Sequence, residues 1–170
     1  IYLFLYSQGG EYSKELAPFA LGTLYSGLED YSLETDYKQA IKWFTLSAME
    51  GHSLSQYNLG ALYSEGENGK PDFEKAEYWL LKAADQKVIS AYQSLGVLYG
   101  VVKQPPDYKR AYYWTELAAF KGSPTAQYNL SVLHALGQGT TKNKESAYYW
   151  ALVAQINIHK SKIPKEDIDA

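Results

Sequence analysis

Four tryptophans, Trp43, Trp79, Trp114 and Trp150, stand 36, 35 and 36 residues apart and divide most of the chain into equal lengths. The alanine three residues before each keeps the same step, as Ala40, Ala76, Ala111 and Ala147. Longer text recurs with them: Gln56-Tyr-Asn-Leu59 returns one double unit later as Gln127-Tyr-Asn-Leu130. A fixed period in the mid-thirties, with two apolar runs in each period, is the pattern of a stacked helical-hairpin array. One hairpin cannot bury its own apolar faces, so its neighbours must complete the core. The expected fold is all-α: a superhelical α/α solenoid of about four stacked helix–turn–helix repeats, with partial helices at the two ends. As a single solenoid over residues 1–170, it divides into a partial repeat at 1–10, units at 11–50, 51–86, 87–121 and 122–157, and the start of a terminal helix at 158–170.

Each period has its own punctuation. Asp36, Asp72, Asp107 and Asn143 precede their tryptophans by seven residues, and these residue types cap helix starts by accepting an orphan first-turn amide. A row of carboxylates one repeat apart is therefore read as capping and not as acid–base machinery. The second helix then carries its alanine, its tryptophan and a run of small residues such as Ala83-Ala84 and Ala118-Ala119, which lets helices approach closely while the indole fills the space between them. Gly51 and Gly122 supply the left-handed turn that follows, and Lys87 replaces glycine there in the third unit, where a different turn is expected. In the first helices, Gly22, Gly60 and Gly96 form a column that ends in Ser131. Glycine costs about 1 kcal/mol in a helix, so its repetition implies a close neighbouring backbone. Pro18 is expected in a first turn, which starts that helix near Ser13–Glu15. Residues 1–8 read as the end of a second helix, and the tail from Ile163 as a helix just beginning. The chain opens without Met or a signal peptide, which leaves room for a leader or a larger protein before it.

Composition narrows the chemistry. No cysteine is present, which removes disulfides, thiolate nucleophiles and Cys-based metal sites. A net charge of −3 gives no strong attraction to nucleic acid. No apolar run approaches the ~20 residues of a membrane helix, so neither nucleic acid binding nor direct membrane insertion is expected. His52, His134 and His159 make no metal-ligand spacing; His134 stands where other units place Tyr25, Tyr63 and Tyr99, as a packing substitute. Gly137-Gln-Gly139-Thr-Thr lacks the ending of a phosphate loop and reads as a turn. No serine has a nucleophile-elbow context. The chain is accordingly read as not an enzyme, with no catalytic residues, cofactor or metal.

The joint pattern Ala-Gln-Tyr-Asn-Leu-Gly-x-Leu-Tyr-x-x-Gly, then Asp-Tyr/Phe-x-Lys/Arg-Ala-x-x-Trp-x-x-x-Ala-Ala-x-x-Gly, resembles the Sel-1-like repeats, relatives of the tetratricopeptide repeats. The likeness covers about residues 11–157, departing at Ser131, His134 and the longer loop before Asp36. It implies a non-enzymatic scaffold or adaptor that binds another protein through a concave groove lined by the first helices. The alternative it carries is an immunity protein that binds and neutralises a secreted bacterial toxin, for example a type VI secretion phospholipase effector. The tail Lys162-Ile-Pro-Lys-Glu-Asp167 resembles the last helix of bacterial envelope members, which favours a bacterial periplasm or envelope, with the cytoplasm as the other option.

By the same analogy, the groove-facing positions include Phe19 and Thr23 in the first clear unit. The second contributes Tyr57, Asn58, Ala61 and Ser64, the third Gln93 and Val97, and the fourth Tyr128, Asn129 and Val132. Tyr57 and Tyr128 are amphipathic anchors of the kind enriched at interface hot spots, although tyrosine there equally packs between repeats. The second candidate surface is the loop rim: Leu28–Thr35, Glu65–Lys70, Val101–Pro106 and Gly137–Lys142.

Overall fold

The computed structural model describes residues 11–27, 36–66 and 70–162. The expectations for residues 1–8, the loop Leu28–Thr35 and the tail from Ile163 lie outside them. Eight α-helices run through the described residues: α1 (Glu11–Ser26), α2 (Tyr37–Met49), α3 (Ser53–Glu65), α4 (Phe73–Asp85), α5 (Ile89–Val97), α6 (Tyr108–Phe120), α7 (Pro124–Leu136) and α8 (Lys144–Lys162). A π-helical turn, Leu98–Val102, continues α5. The chain is all-α, and its helices group into two compact units divided between Ala91 and Tyr92. In the first unit α1 packs on α2, α2 on α3 and α3 on α4. In the second the π turn packs on α6, α6 on α7 and α7 on α8.

The four caps form as the residue types dictate. Asp36, Asp72 and Asp107 accept the backbone N–H groups of Gln39, Lys75 and Arg110 at 3.0, 3.1 and 3.1 Å. Asn143 accepts that of Ser146 at 3.0 Å. Each capping residue also donates its own N–H backwards, to the carbonyl of Tyr25, Tyr63, Tyr99 or His134, at 2.8–2.9 Å. One residue thus starts the second helix and closes the loop onto the end of the first. His134 is equivalent to the tyrosines in this backbone bond, and its ring meets Tyr112 edge-on at 5.5 Å.

The glycine column marks close approach. A Cβ on Gly22 would stand 2.5 Å from Phe44 Cδ1, on Gly60 2.7 Å from Leu80 Cγ, and on Gly96 2.5 Å from Thr115 Oγ1. The partner is the residue after each tryptophan. In the last hairpin that residue is Ala151, and the glycine becomes Ser131: a smaller side chain on one helix goes with a larger one on the other. Phe44 and Leu80 are fully buried, whereas Trp79 is only partly buried and packs against the core from its edge. Trp114 and Trp150 are likewise only partly buried, whereas Trp43 is buried beside Phe44.

Two local expectations are corrected. Pro18 lies in the interior of α1 and not in its first turn. It takes away the amide partner of the Lys14 carbonyl, at an exposed residue where water can substitute, while its ring is fully buried. Lys87 makes the same turn as the glycines, with φ of 64° beside 99° and 86° at Gly51 and Gly122. The bonds also repeat: Gly51, Lys87 and Gly122 donate to the carbonyls of Ala48, Ala84 and Ala119. The turn geometry is held by those bonds even where the residue disfavours it.

A buried amide joins consecutive second helices. Gln56 Nε2 donates to the Ala48 carbonyl at 3.1 Å, and Gln86 Nε2 donates to Gln56 Oε1 at 2.8 Å. In the second unit Gln127 Nε2 donates to the Ala119 carbonyl at 3.2 Å, and Asn157 Nδ2 to Gln127 Oε1 at 2.9 Å. Tyr92 holds the corresponding place in the third repeat and stacks on Trp114 with 5.8 Å between centroids.

Candidate functional site

The residues expected to face a partner separate into two groups. In the first unit Phe19, Thr23 and Ser64 are engaged within the fold. Phe19 is half-buried, with its ring 6.1 Å from Phe44 and 4.6 Å from His52. Thr23 is buried and donates its hydroxyl to the Phe19 carbonyl at 3.0 Å. Tyr57, Asn58, Ala61 and Ser64 are half-buried along α3, and Ser64 donates back to the Gly60 carbonyl at 2.9 Å.

In the second unit four expected residues come together. Val97 from α5 and Tyr128, Asn129 and Val132 from α7 line one pocket of about 410 Å³. Gln93, one turn earlier on α5, does not line it. The pocket is built from three directions. Gly96, Val97, Gly100 and Val101 supply the end of α5 and the π turn, Tyr108, Ala111 and Thr115 come from α6, and Leu133 and Gln138 extend the α7 wall. Its lining contains no Asp, Glu, Lys, Arg or His. Tyr128 is 59% exposed, Val97 44% and Val132 36%, so apolar surface reaches the mouth. Neither the Asn129 nor the Asn58 side-chain amide hydrogen-bonds to another described residue. The amides that tie the stack together are those of Gln56 and Gln127, each two positions earlier.

The π turn has a cause in the sequence. Gly66 and Gly137 end their first helices at φ of 72° and 73°, each donating its N–H to the carbonyl four residues back. The same position in the third repeat is Val102. A β-branched residue resists the left-handed region, so the helix runs one wider turn and Lys103 N–H donates to Leu98 five residues back, at 2.8 Å. This leaves Val101 68% exposed on the pocket wall. Val102, standing where the second and fourth repeats have Gly66 and Gly137, was the available signal for this wall.

The loop rim makes a broader depression of about 750 Å³ between residues 103–109 and 137–141. Its one lining carboxylate, Asp107, caps α6 and lies 3.8 Å from Lys103 Nζ and 3.6 Å from Arg110 Nε. Behind it, Tyr112 donates to Glu116 Oε1 at 2.7 Å. Burial, and then that hydrogen bond, push the Tyr112 phenol up to about 12. Among the described residues no group of three His, Cys, Asp or Glu side chains could hold a metal, and no helix is long and apolar enough to cross a membrane.

Comparison with known proteins agrees with this architecture. A viral protein named as a putative sel1-like repeat-containing protein, from Acanthamoeba polyphaga mimivirus, is 46% identical over 41 residues, which are 24% of this chain and 7% of that protein. The crystal structure of c5321, described as a protective antigen of uropathogenic Escherichia coli with an SLR fold, superposes with a TM-score of 0.74 at 32% identity. The match covers 89% of this chain and 32% of that one. A Sel1 repeat protein from Oxalobacter formigenes gives a TM-score of 0.62 at 30% identity, over 82% of this chain and 40% of its own. The chain thus spans well under half the length of each of these proteins. The Sel1 repeat family model matches residues 16–52, 53–88, 89–123 and 124–154, and with four successive repeats this chain belongs to the Sel1 repeat family.

Proposed function

We propose that the chain is a non-enzymatic protein-binding scaffold whose partner lies along the first-helix face, in the groove that a Sel1 array presents. Sel1 repeats generally mediate protein–protein interaction. The observation that carries the reading is the convergence of Val97, Tyr128, Asn129 and Val132 on one uncharged pocket. Aromatic and apolar side chains around a concave site, with a few polar groups to fix orientation, are what a protein-binding hot spot requires. The loop rim is broader, and its central carboxylate is already engaged.

The test is affinity capture from source-cell lysate and envelope fractions, with Tyr128→Ala beside the parent protein. Tyr128 is more than half exposed, so its loss leaves the helices standing. A dominant partner held by the parent and lost by Y128A supports the groove. A partner retained by Y128A moves binding to the loop rim. A secreted toxin as that partner would give the immunity role, and a resident cellular protein the adaptor role.

A further inference from the structure

We infer that the loop-rim depression is a separate binding site for a small phosphomonoester, its phosphate held by Lys109, Thr141 and the backbone amides of residues 139–142. The site does not depend on the scaffold reading: Tyr108 is the one residue that lines both this depression and the groove pocket. Its charge is distinctive. Lys103 and Lys109 line it against a single carboxylate, that of Asp107. One oxygen of that carboxylate accepts the Arg110 N–H as the α6 cap, and the other lies between Lys103 Nζ and Arg110 Nε. Lys109 is exposed and pairs with no acid among the described residues. In a chain of net charge −3 this is a local positive surplus, and it favours an anion.

The facing loop supplies hydrogen-bond donors. Gly137 and Gln138 give their N–H groups to the Leu133 carbonyl, and Asn143 gives its own to His134. The four N–H groups between them, of Gly139, Thr140, Thr141 and Lys142, donate to no backbone carbonyl of the described residues. The turn passes through the left-handed region at Gly137 and Gly139, with φ of 73° and 74°. Successive N–H groups in turns of this kind form anion-binding concavities. The loop is also held in place. A Cβ on Gly139 would stand 1.9 Å from the Tyr108 carbonyl oxygen, and Thr140 hydrogen-bonds Tyr112 behind the depression. An anion that binds here therefore pays little to order the loop. A phosphomonoester carries about −1.5 to −2 charges and three strong acceptor oxygens, which suits a lysine, a hydroxyl and several amides better than a carboxylate does. At about 750 Å³ the space lies within the usual range for small ligands, about 300–1,000 Å³, and exceeds a phosphate group. Pro105, Pro106 and Tyr108 line the remainder and receive the organic part of the ester.

The experiment titrates phenyl phosphate into ¹⁵N-labelled protein at constant ionic strength and follows the backbone amide shifts, with inorganic phosphate, phenol and sodium chloride as parallel probes. Phenyl phosphate is expected to give saturable shifts at residues 139–142, and at lower concentration than inorganic phosphate. Phenol and chloride should give none. Lys109→Ala combined with Thr141→Ala changes two exposed side chains, so melting should be unchanged while phenyl phosphate binds about fivefold more weakly or worse. Val132→Glu, in the groove pocket, should leave that binding as in the parent. Amides at 139–142 that stay in place, equal shifts from phenol or chloride, or equal affinity in the K109A/T141A protein would each overturn the inference. Loss of the captured protein partner in Y128A is read separately, so either proposal can fail without the other.

Discussion

At the scale of single residues, the deepest contacts of this fold sit one position away from its most conspicuous markers. The tryptophans set the period, but Leu80 is fully buried against Gly60 while Trp79 lies at the core's edge. Leu80→Ala is therefore expected to cost 2–5 kcal/mol, the usual range for emptying a buried leucine site, measured by urea unfolding; a loss below about 1 kcal/mol would contradict the assignment. The indole's size and regular spacing make it visible in the sequence, whereas which neighbour points inward depends on helix rotation, set by the facing helix. Lys87 supplies a second case. Its left-handed conformation costs roughly 1–2 kcal/mol relative to glycine, partly offset by the entropy glycine adds to the unfolded chain. Lys87→Gly should raise stability by about 0.5–1 kcal/mol, and an unchanged unfolding midpoint would show that the turn carries no strain. Tyr112 supplies a pH signature. Its folded phenol titrates near 12 while the unfolded chain ionises at the ordinary value of 10.0. Between those values the folded state holds the extra proton, so Tyr112 makes stability fall as pH rises through that window. Tyr112→Phe should flatten that fall, and equal alkaline slopes for the two proteins would contradict the burial of the phenol.

The elements were legible wherever a residue type has one dominant backbone role. Asp36, Asp72, Asp107 and Asn143 cap as their side chains require, and the glycines at 22, 60 and 96 stand where a Cβ would collide. What could not be read depends on contacts distant in the chain. The buried glutamines recur as plainly as the asparagines beside them, yet only packing shows that Gln127 spans Ala119 and Asn157. Gln127→Leu removes both bonds and leaves buried polar groups unmatched, so it should cost about 1–3 kcal/mol and raise hydrogen exchange in α8 around Asn157. The π turn was implicit in Val102, but a missing glycine says that a helix cannot end in its usual way without saying what it does instead. Pro18 shows the converse: local preference placed it in a first turn, and burial of its ring holds it inside α1.

At the scale of the molecule, four repeats supply architecture and leave specificity to their departures from the pattern. The candidate groove was legible as a set of positions, because first-helix columns are fixed by the period. Its concentration in the second unit was not, since it needs Val102, the small Gly96–Ala111 floor and the α7 wall together. Phe19 and Thr23 occupy the same columns and are absorbed into packing. Membership in the Sel1 repeat family accounts for the hairpins and for protein binding as a general property. The most direct measurement is hydrogen–deuterium exchange on the protein alone and bound to its captured partner. Protection concentrated at residues 97–101 and 128–133 is the result this account predicts. Protection confined to residues 103–109 and 139–142, with Tyr128 to Val132 exchanging as in the free protein, would contradict it and place the partner on the loop rim.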